Sequence, residues 1–320
     1  MNSSCFSVLC QKNRQDDGFT SEDWYQNYLR FVQLAGLELK TIEAYSRWVR
    51  QLGEHYPELK VPHLTPGQVQ DFLIHRQDIR KLAGSTINQA KQALKGLFRD
   101  HLGYQWDIWG KIKPKRDKPL PYIVSPKDIR ILLDSFDDGR YRALFTLIYH
   151  CGLRLFEARA IHPKDIDGDR LILRIRKGKG GKSREVPISS EVHQRLRAFW
   201  SWHRNPKWLF PAAGRGWKRA TLRQHLRQNN NAMSSSTART GFKVALASSG
   251  LLKRHQRIII HTLRHSYATH MLDEGVSLAQ ISEYLGHASL RPTLVYLHLT
   301  ERSETKARDA LATLPLPTPR

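Results

Sequence analysis

The chain has 320 residues, 40% hydrophobic and 25% charged, ordinary values for a globular protein of about two domains. Its 52 Lys and Arg against 29 Asp and Glu leave a formal charge of +23, a surface that repels itself unless a polyanion such as DNA neutralises it and releases counterions. Three cysteines without paired spacing argue against a disulfide framework, Cys5 and Cys10 lack the spacing and further ligands of a zinc site, and no apolar run approaches the roughly 20 residues of a membrane span.

Residues 1–19 are polar and irregular and read as a loose arm without the basic start of a secretory signal. The expected location is therefore the cytoplasm, with no membrane partner. From Ser21 the pattern turns helical, with Trp24, Tyr28, Phe31 and Val32 at helical spacing. A second helix is predicted from about Thr41 to His55, carrying Ile42, Tyr45, Trp48, Val49 and Leu52 on one stripe. Thr65-Pro66 starts a third, with proline at the first helical position, and Gly84-Ser85 precedes a fourth. These make a small helical domain over 20–106.

Residues 111–121 read KIKPKRDKPLP, with three prolines and five Lys or Arg. Proline density forbids a helix and favours an extended spacer. A linker is placed at 107–121, either solvated or lying as a strap along phosphates. A second domain is predicted over 122–312, followed by a tail at 313–320. Ser125-Pro126 caps its first helix, and an apolar helix follows at 140–151. In LILRIR, Leu171, Leu173 and Ile175 alternate with Ile172, Arg174 and Arg176, the one clear strand signal. A Gly-rich turn leads to a short strand ending near Val186-Pro187, and the remainder reads as mainly helical. The fold class expected is mainly α with a small antiparallel β-sheet in the C-terminal domain.

Four segments carry candidate chemistry. In CGLRLFEA (151–158), Arg154 follows a turn before a helix, a place where a lone arginine is ordinarily a salt-bridge residue. In RKGKGGKSRE (176–185), Lys179 sits between glycines at a hairpin tip, free to reach a groove or simply to be solvated. GKGGKS is no nucleotide-binding loop, because it lacks the four-residue gap and joins two strands. In HTLRH (261–265), His261 and Arg264 share a helix face near its N-terminus, which suits a phosphate. In LGHASLRPTLVY (285–296), Gly286 fits a helix C-cap, His287 follows, and Tyr296 comes nine residues later. A tyrosine so placed is usually packing, and a buried histidine is usually structural.

Taken in order, these segments resemble the tyrosine recombinase, or phage integrase, family. Its signature is Arg in a G-L-R turn, Lys in a hairpin turn, H-x-x-R, then L-G-H and a Tyr nine residues on. TIEAYSRWVR at 41–50 is similar to the family's core-binding region. Cys151 and Phe156 stand where many members have Thr and Ser, and residues 217–232 look inserted. The resemblance implies a SAM-like α-helical core-binding domain followed by an α+β catalytic domain. It implies cleavage and rejoining of double-stranded DNA at recombination sites by a homotetramer, with accessory DNA-bending proteins as further partners and the 301–320 segment either docking on a neighbour or folding back on its own domain.

The same resemblance implies roles. Arg154 and Arg264 would clamp the phosphate, His261 and His287 would add hydrogen bonds, and Tyr296 would form a 3′-phosphotyrosine link. Lys179 would protonate the leaving 5′-oxygen. The residue types fit, because guanidinium forks match phosphate oxygens and preorganised donors meet developing charge. Nearby cations, and His261 as base, would favour the phenolate of Tyr296. No cofactor and no metal is implied. Glu157 reads as support for Arg154, and Asp165, Asp167 and Asp169 read as turn residues. The alternatives are a type IB topoisomerase that relaxes DNA and a DNA-binding regulator without catalysis.

Overall fold

The computed structural model describes residues 23–114, 120–176, 183–214, 216, 218–255 and 257–299. The N-terminal arm, the linker core at 115–119, the hairpin tip with Lys179 and the 301–320 segment lie outside them. The chain forms two compact units, 1–119 and 120–320.

The first unit is helical: α1 (Asp23–Leu34), α2 (Leu39–His55), α3 (Pro66–Asp78), α4 (Gly84–Lys95) and a short α5 (Ile108–Lys111). The start of α3 is set locally. Thr65 Oγ1 accepts from the Gln68 backbone N–H at 3.3 Å, the Gln68 side chain accepts from the Thr65 N–H at 2.8 Å, and Pro66 fits the first turn. One stripe of each long helix faces a common core around Tyr28, Val49, Leu52, Phe72, Ile87 and Leu94. After α4 the chain continues as a π-helical stretch, Gly96–His101, which buries Leu97 and Phe98 in that core.

The second unit is built on α7 (Gly139–His150), whose Leu144, Phe145, Leu147 and Ile148 are buried at its centre. Before it runs α6 (Pro126–Asp134), capped by Ser125, whose Oγ accepts from the Asp128 N–H. After it come α8 (Leu155–Arg159) and a three-stranded antiparallel sheet, β1 (Ile166–Asp167), β2 (Ile172–Ile175) and β3 (Arg184–Pro187), paired in the order β1-β2-β3. In β2, Leu173 and Ile175 point into the core and Arg174 outward, the alternation expected of a half-buried strand.

The rest is helical: α9 (Ser190–His203), α10 (Leu222–Gln228), α11 (Ser235–Ser248), α12 (Ile260–Asp273), α13 (Leu278–Leu285) and a 3₁₀ turn, Leu294–Leu299. Leu222 and Leu226 pack with Ala213 in a small satellite cluster. The amide of buried Asn205 donates to the Leu226, Arg227 and Asn229 carbonyls, satisfying the C-terminal end of α10.

One glycine lets the last helices close on the centre of this unit. Gly152, at φ +58°, ends α7 in the left-handed region, and a Cβ there would lie 2.4 Å from Tyr267 and 2.8 Å from Leu285. Its bare α-carbon lets α12 and α13 press against the turn that carries Arg154.

Candidate active site

The site forms where the 152–154 turn, α12, the end of α13 and the start of β3 meet. Its centre is a buried carboxylate. Glu157, in the first turn of α8, accepts from the Arg154 backbone N–H at 2.8 Å and from Arg154 Nη1 at 3.0 Å. Arg184 of β3 grips the same carboxylate with both terminal nitrogens, at 3.0 and 2.9 Å, and Arg264 Nη1 lies 3.8 Å away. Burial opposes ionisation of Glu157, but hydrogen bonds and charge from Arg184, and then from Arg154, hold its carboxyl below the ordinary glutamate value.

Arg264 is the most enclosed of the three arginines, only 1% exposed. Nη1 donates to the Gly152 carbonyl at 2.6 Å and Nη2 to the Leu285 carbonyl at 2.7 Å. Burial, and then repulsion from Arg154, lower its pKa to about 9, which still leaves it charged at neutral pH. Arg154 Nη1 lies 3.4 Å from the same Leu285 carbonyl, so one backbone oxygen ties the two guanidiniums together. Such fixed, partly desolvated donors are suited to an anion that carries growing charge.

His287 follows the C-cap Gly286, whose left-handed φ of +64° turns the chain back over the arginines. Arg264 Nη2 donates to His287 Nε2 at 3.1 Å, and His287 Nδ1 lies 2.7 Å from Thr293 Oγ1. That network assigns the proton to Nδ1. Burial, and then the charges of Arg264, Arg154 and Arg184, lower the His287 pKa to about 4. In this state His287 accepts from Arg264, where the sequence reading has it donating to a phosphate. His261 is likewise held below its ordinary value, by burial and then by Arg264 and Arg154.

Tyr296 lies in the 3₁₀ turn, 3% exposed, packed with Tyr267, Ala268, Ile281 and Leu285. Its hydroxyl lies 2.8 Å from His265 Nδ1. Burial opposes its phenolate more strongly than the nearby cations favour it. Burial raises its pKa above the ordinary tyrosine value, and Arg264 and Arg154 offset this only in part.

Residues 124–303 match the phage integrase family, and residues 24–108 match the SAM-like N-terminal domain of phage integrases. The chain belongs to the phage integrase family. Among relatives of this integrase, a protein of Sinorhizobium fredii named as an integrase/recombinase is 30% identical over 292 residues, covering 90% of this chain and 88% of that protein. Tyrosine recombinase XerC of Chromobacterium violaceum is 38% identical over 293 residues, covering 89% and 92%. In fold, the integrase resembles one chain of the lambda integrase tetramer bound to a Holliday junction, with a TM-score of 0.67 and 16% identity over 86% of this chain and 76% of that one. It also resembles XerH site-specific recombinase bound to palindromic difH substrate, with a TM-score of 0.63 and 20% identity over 91% and 84%.

The structure thus brings Arg154, His261, Arg264, His287 and Tyr296 of this integrase into one neighbourhood, while Lys179 lies outside the described residues. Three features escape the sequence. Arg184 reads as one more basic residue of the 176–185 hairpin, yet its side chain is 6% exposed and locked on Glu157, with Nε donating to the Tyr284 carbonyl at 2.6 Å. Asp165 reads as a turn residue, yet it is buried, accepts from the His162 N–H and pairs with Arg176. His265 receives no role from the sequence, although its place directly after Arg264 in HTLRH could have drawn attention.

Proposed function

We propose that this integrase is a site-specific DNA recombinase in which Tyr296 attacks a scissile phosphate and forms a 3′-phosphotyrosine link. Arg154 and Arg264 neutralise the non-bridging oxygens, and His261 and His287 complete the donor set once the phosphate engages the arginines. Lys179, carried on the β2–β3 hairpin, gives the leaving 5′-oxygen its proton. The link conserves the energy of the phosphodiester, so attack by a new 5′-hydroxyl rejoins the strand without a nucleotide cofactor.

The observation that carries this reading is the arrangement around the Leu285 carbonyl. Two guanidiniums lie on one backbone oxygen, at 2.7 and 3.4 Å, with His287 at 3.1 Å from one of them. Glu157 holds Arg154 from behind, so its fork is oriented before any substrate arrives. The excess of 23 positive charges supplies the long-range attraction for DNA. The match of residues 24–108 to the SAM-like domain supports recombination over relaxation alone. The working form is a homotetramer on two DNA duplexes in the cytoplasm, with accessory DNA-bending proteins as candidates for setting direction.

Covalent trapping tests the reading. Denaturing isolation of the protein from cells that carry it should recover DNA attached to the chain, with one recurrent sequence at the junction. Recovery of equal amounts of DNA with Tyr296→Phe would contradict it.

A further inference from the structure

The site contains a histidine on the nucleophile that the phosphate-binding and proton-donating roles leave unused. His265 follows Arg264 on α12 and stands one helical turn after His261. Its Nδ1 lies 2.8 Å from the Tyr296 hydroxyl, with ring centroids 5.8 Å apart. The His261 ring meets the His265 ring edge to face, with centroids 4.6 Å apart. The Tyr296 backbone N–H donates to the Thr293 carbonyl at 3.0 Å, and Thr293 Oγ1 bonds His287. One turn therefore fixes both the nucleophile and a histidine that faces the arginines.

We propose that His265 is a catalytic residue of strand cleavage, accepting the Tyr296 proton on Nδ1 as the phenolic oxygen attacks phosphorus. A neutral imidazole can do this with its own proton on Nε2. The phenolic oxygen–phosphorus bond forms as the phosphorus–5′-oxygen bond breaks. The tyrosine proton moves to His265, and the 5′-oxygen takes a proton from the general acid, Lys179. On rejoining, the incoming 5′-hydroxyl returns its proton to that lysine, and His265 gives its proton back to the departing tyrosine oxygen.

The free enzyme is arranged so that this transfer waits for substrate. Burial, and then the neighbouring His261, Arg264 and His287, lower the His265 pKa to about 4, while Tyr296 is held above its ordinary value. An idle phenolate is therefore suppressed. A phosphate on Arg154 and Arg264 cancels positive charge beside the ring and raises its proton affinity at the moment of attack. His261, the base expected from the sequence, then acts through phosphate contact and against the His265 ring.

The inference rests on the strand-transfer function proposed for this integrase. Its test uses the trapped DNA sequence built into a nicked substrate, from which covalent complex accumulates. His265→Asn places an amide near the Nδ1 position that can bond the hydroxyl but cannot carry the proton, and His265→Ala vacates the position. Both should bind DNA as wild type does and form covalent complex about 10²–10⁴-fold more slowly in a single turnover. A bridging 5′-sulfur, which removes the need for the acid, should rescue neither. Fluorinated tyrosine at 296, a more acidic phenol, should recover at least about tenfold of the His265→Asn loss. Cleavage by His265→Asn within about threefold of wild type, or a loss untouched by fluorination, would overturn the proposal. Wild-type protein that forms no covalent complex, or Tyr296→Phe that still forms it, would instead overturn the strand-transfer function and this inference with it.

Discussion

Replacing Glu157 by glutamine keeps the shape of the side chain and removes the one negative charge beneath three arginines. Wild-type Glu157 accepts two bonds from Arg184 and two from Arg154, with Arg264 at 3.8 Å. Its side chain is fully buried and that of Arg184 is 6% exposed, so water cannot take over the lost charge. Removing one partner of a buried ion pair costs about 3–5 kcal/mol, because the other charge stays buried and unpaired. For a unit of about 200 residues, each kcal/mol lowers Tm by roughly 2–4 °C, so Glu157→Gln should melt about 6–20 °C below wild type. Adding Arg184→Met should recover part of that loss, since the uncompensated guanidinium goes with it, and the non-additivity should reach about 0.5–3 kcal/mol. The sign with pH follows from the depressed pKa: the Glu157 contribution is present above its unfolded value of about 4.3 and is lost as pH falls through the lower folded value. Thermal melts of the wild type, both single variants and the double variant measure all of this. A Glu157→Gln melt within about 2 °C of wild type would refute the view that this carboxylate holds the site together.

The same geometry sets further outcomes. Gly152→Ala should destabilise by about 2–5 kcal/mol, combining left-handed strain with a Cβ 2.4 Å from Tyr267, and should disturb Arg264 through the Gly152 carbonyl; chemical denaturation checks the stability and DNA cleavage the function. Because His265 and His287 titrate near 4 when folded and near 6.5 when unfolded, the unfolded chain binds more protons between these values. Stability should therefore fall as pH drops from about 6.5 to 4, and His287→Asn should flatten that slope in denaturant titrations. Lys179→Ala should slow cleavage about 10²–10⁴-fold on ordinary DNA and cleave a substrate with a bridging 5′-sulfur nearly as fast as wild type, whereas Arg154→Ala should stay slow on both. Failure of sulfur to rescue Lys179→Ala would reduce that lysine to a groove contact.

The legible parts of this protein are those with a local signature. Thr65-Pro66 and Ser125-Pro126 announce helix starts because a cap and a fixed φ act within four residues. The alternation in 171–176 announces β2 because its two faces see different solvents. Strand β1 escapes notice because two residues cannot show a period. The site is legible as an ordered set, with Arg154, His261, Arg264, His287 and Tyr296 each in a recognisable local setting. Long-range burial is not legible. Arg184 and Arg176 look alike in sequence, yet one lies under Gly286 against Glu157 while the other is half exposed beside Asp165. Which arginine is buried is decided by where α13 crosses β3, and the Tyr284 carbonyl that Arg184 meets there lies 100 residues away along the chain. His265 is hidden for a similar reason, because its partner lies 31 residues on and only the turn at Thr293 brings the hydroxyl to it.

If Tyr296 is the nucleophile it becomes joined to DNA, and mass mapping identifies the joined residue. Wild-type protein trapped on a nicked substrate, digested with protease and nuclease, should yield one peptide carrying a nucleotide remnant, with the mass addition on Tyr296. A remnant on Tyr267 or Tyr284, or on no tyrosine at all, would rule out Tyr296 as the nucleophile.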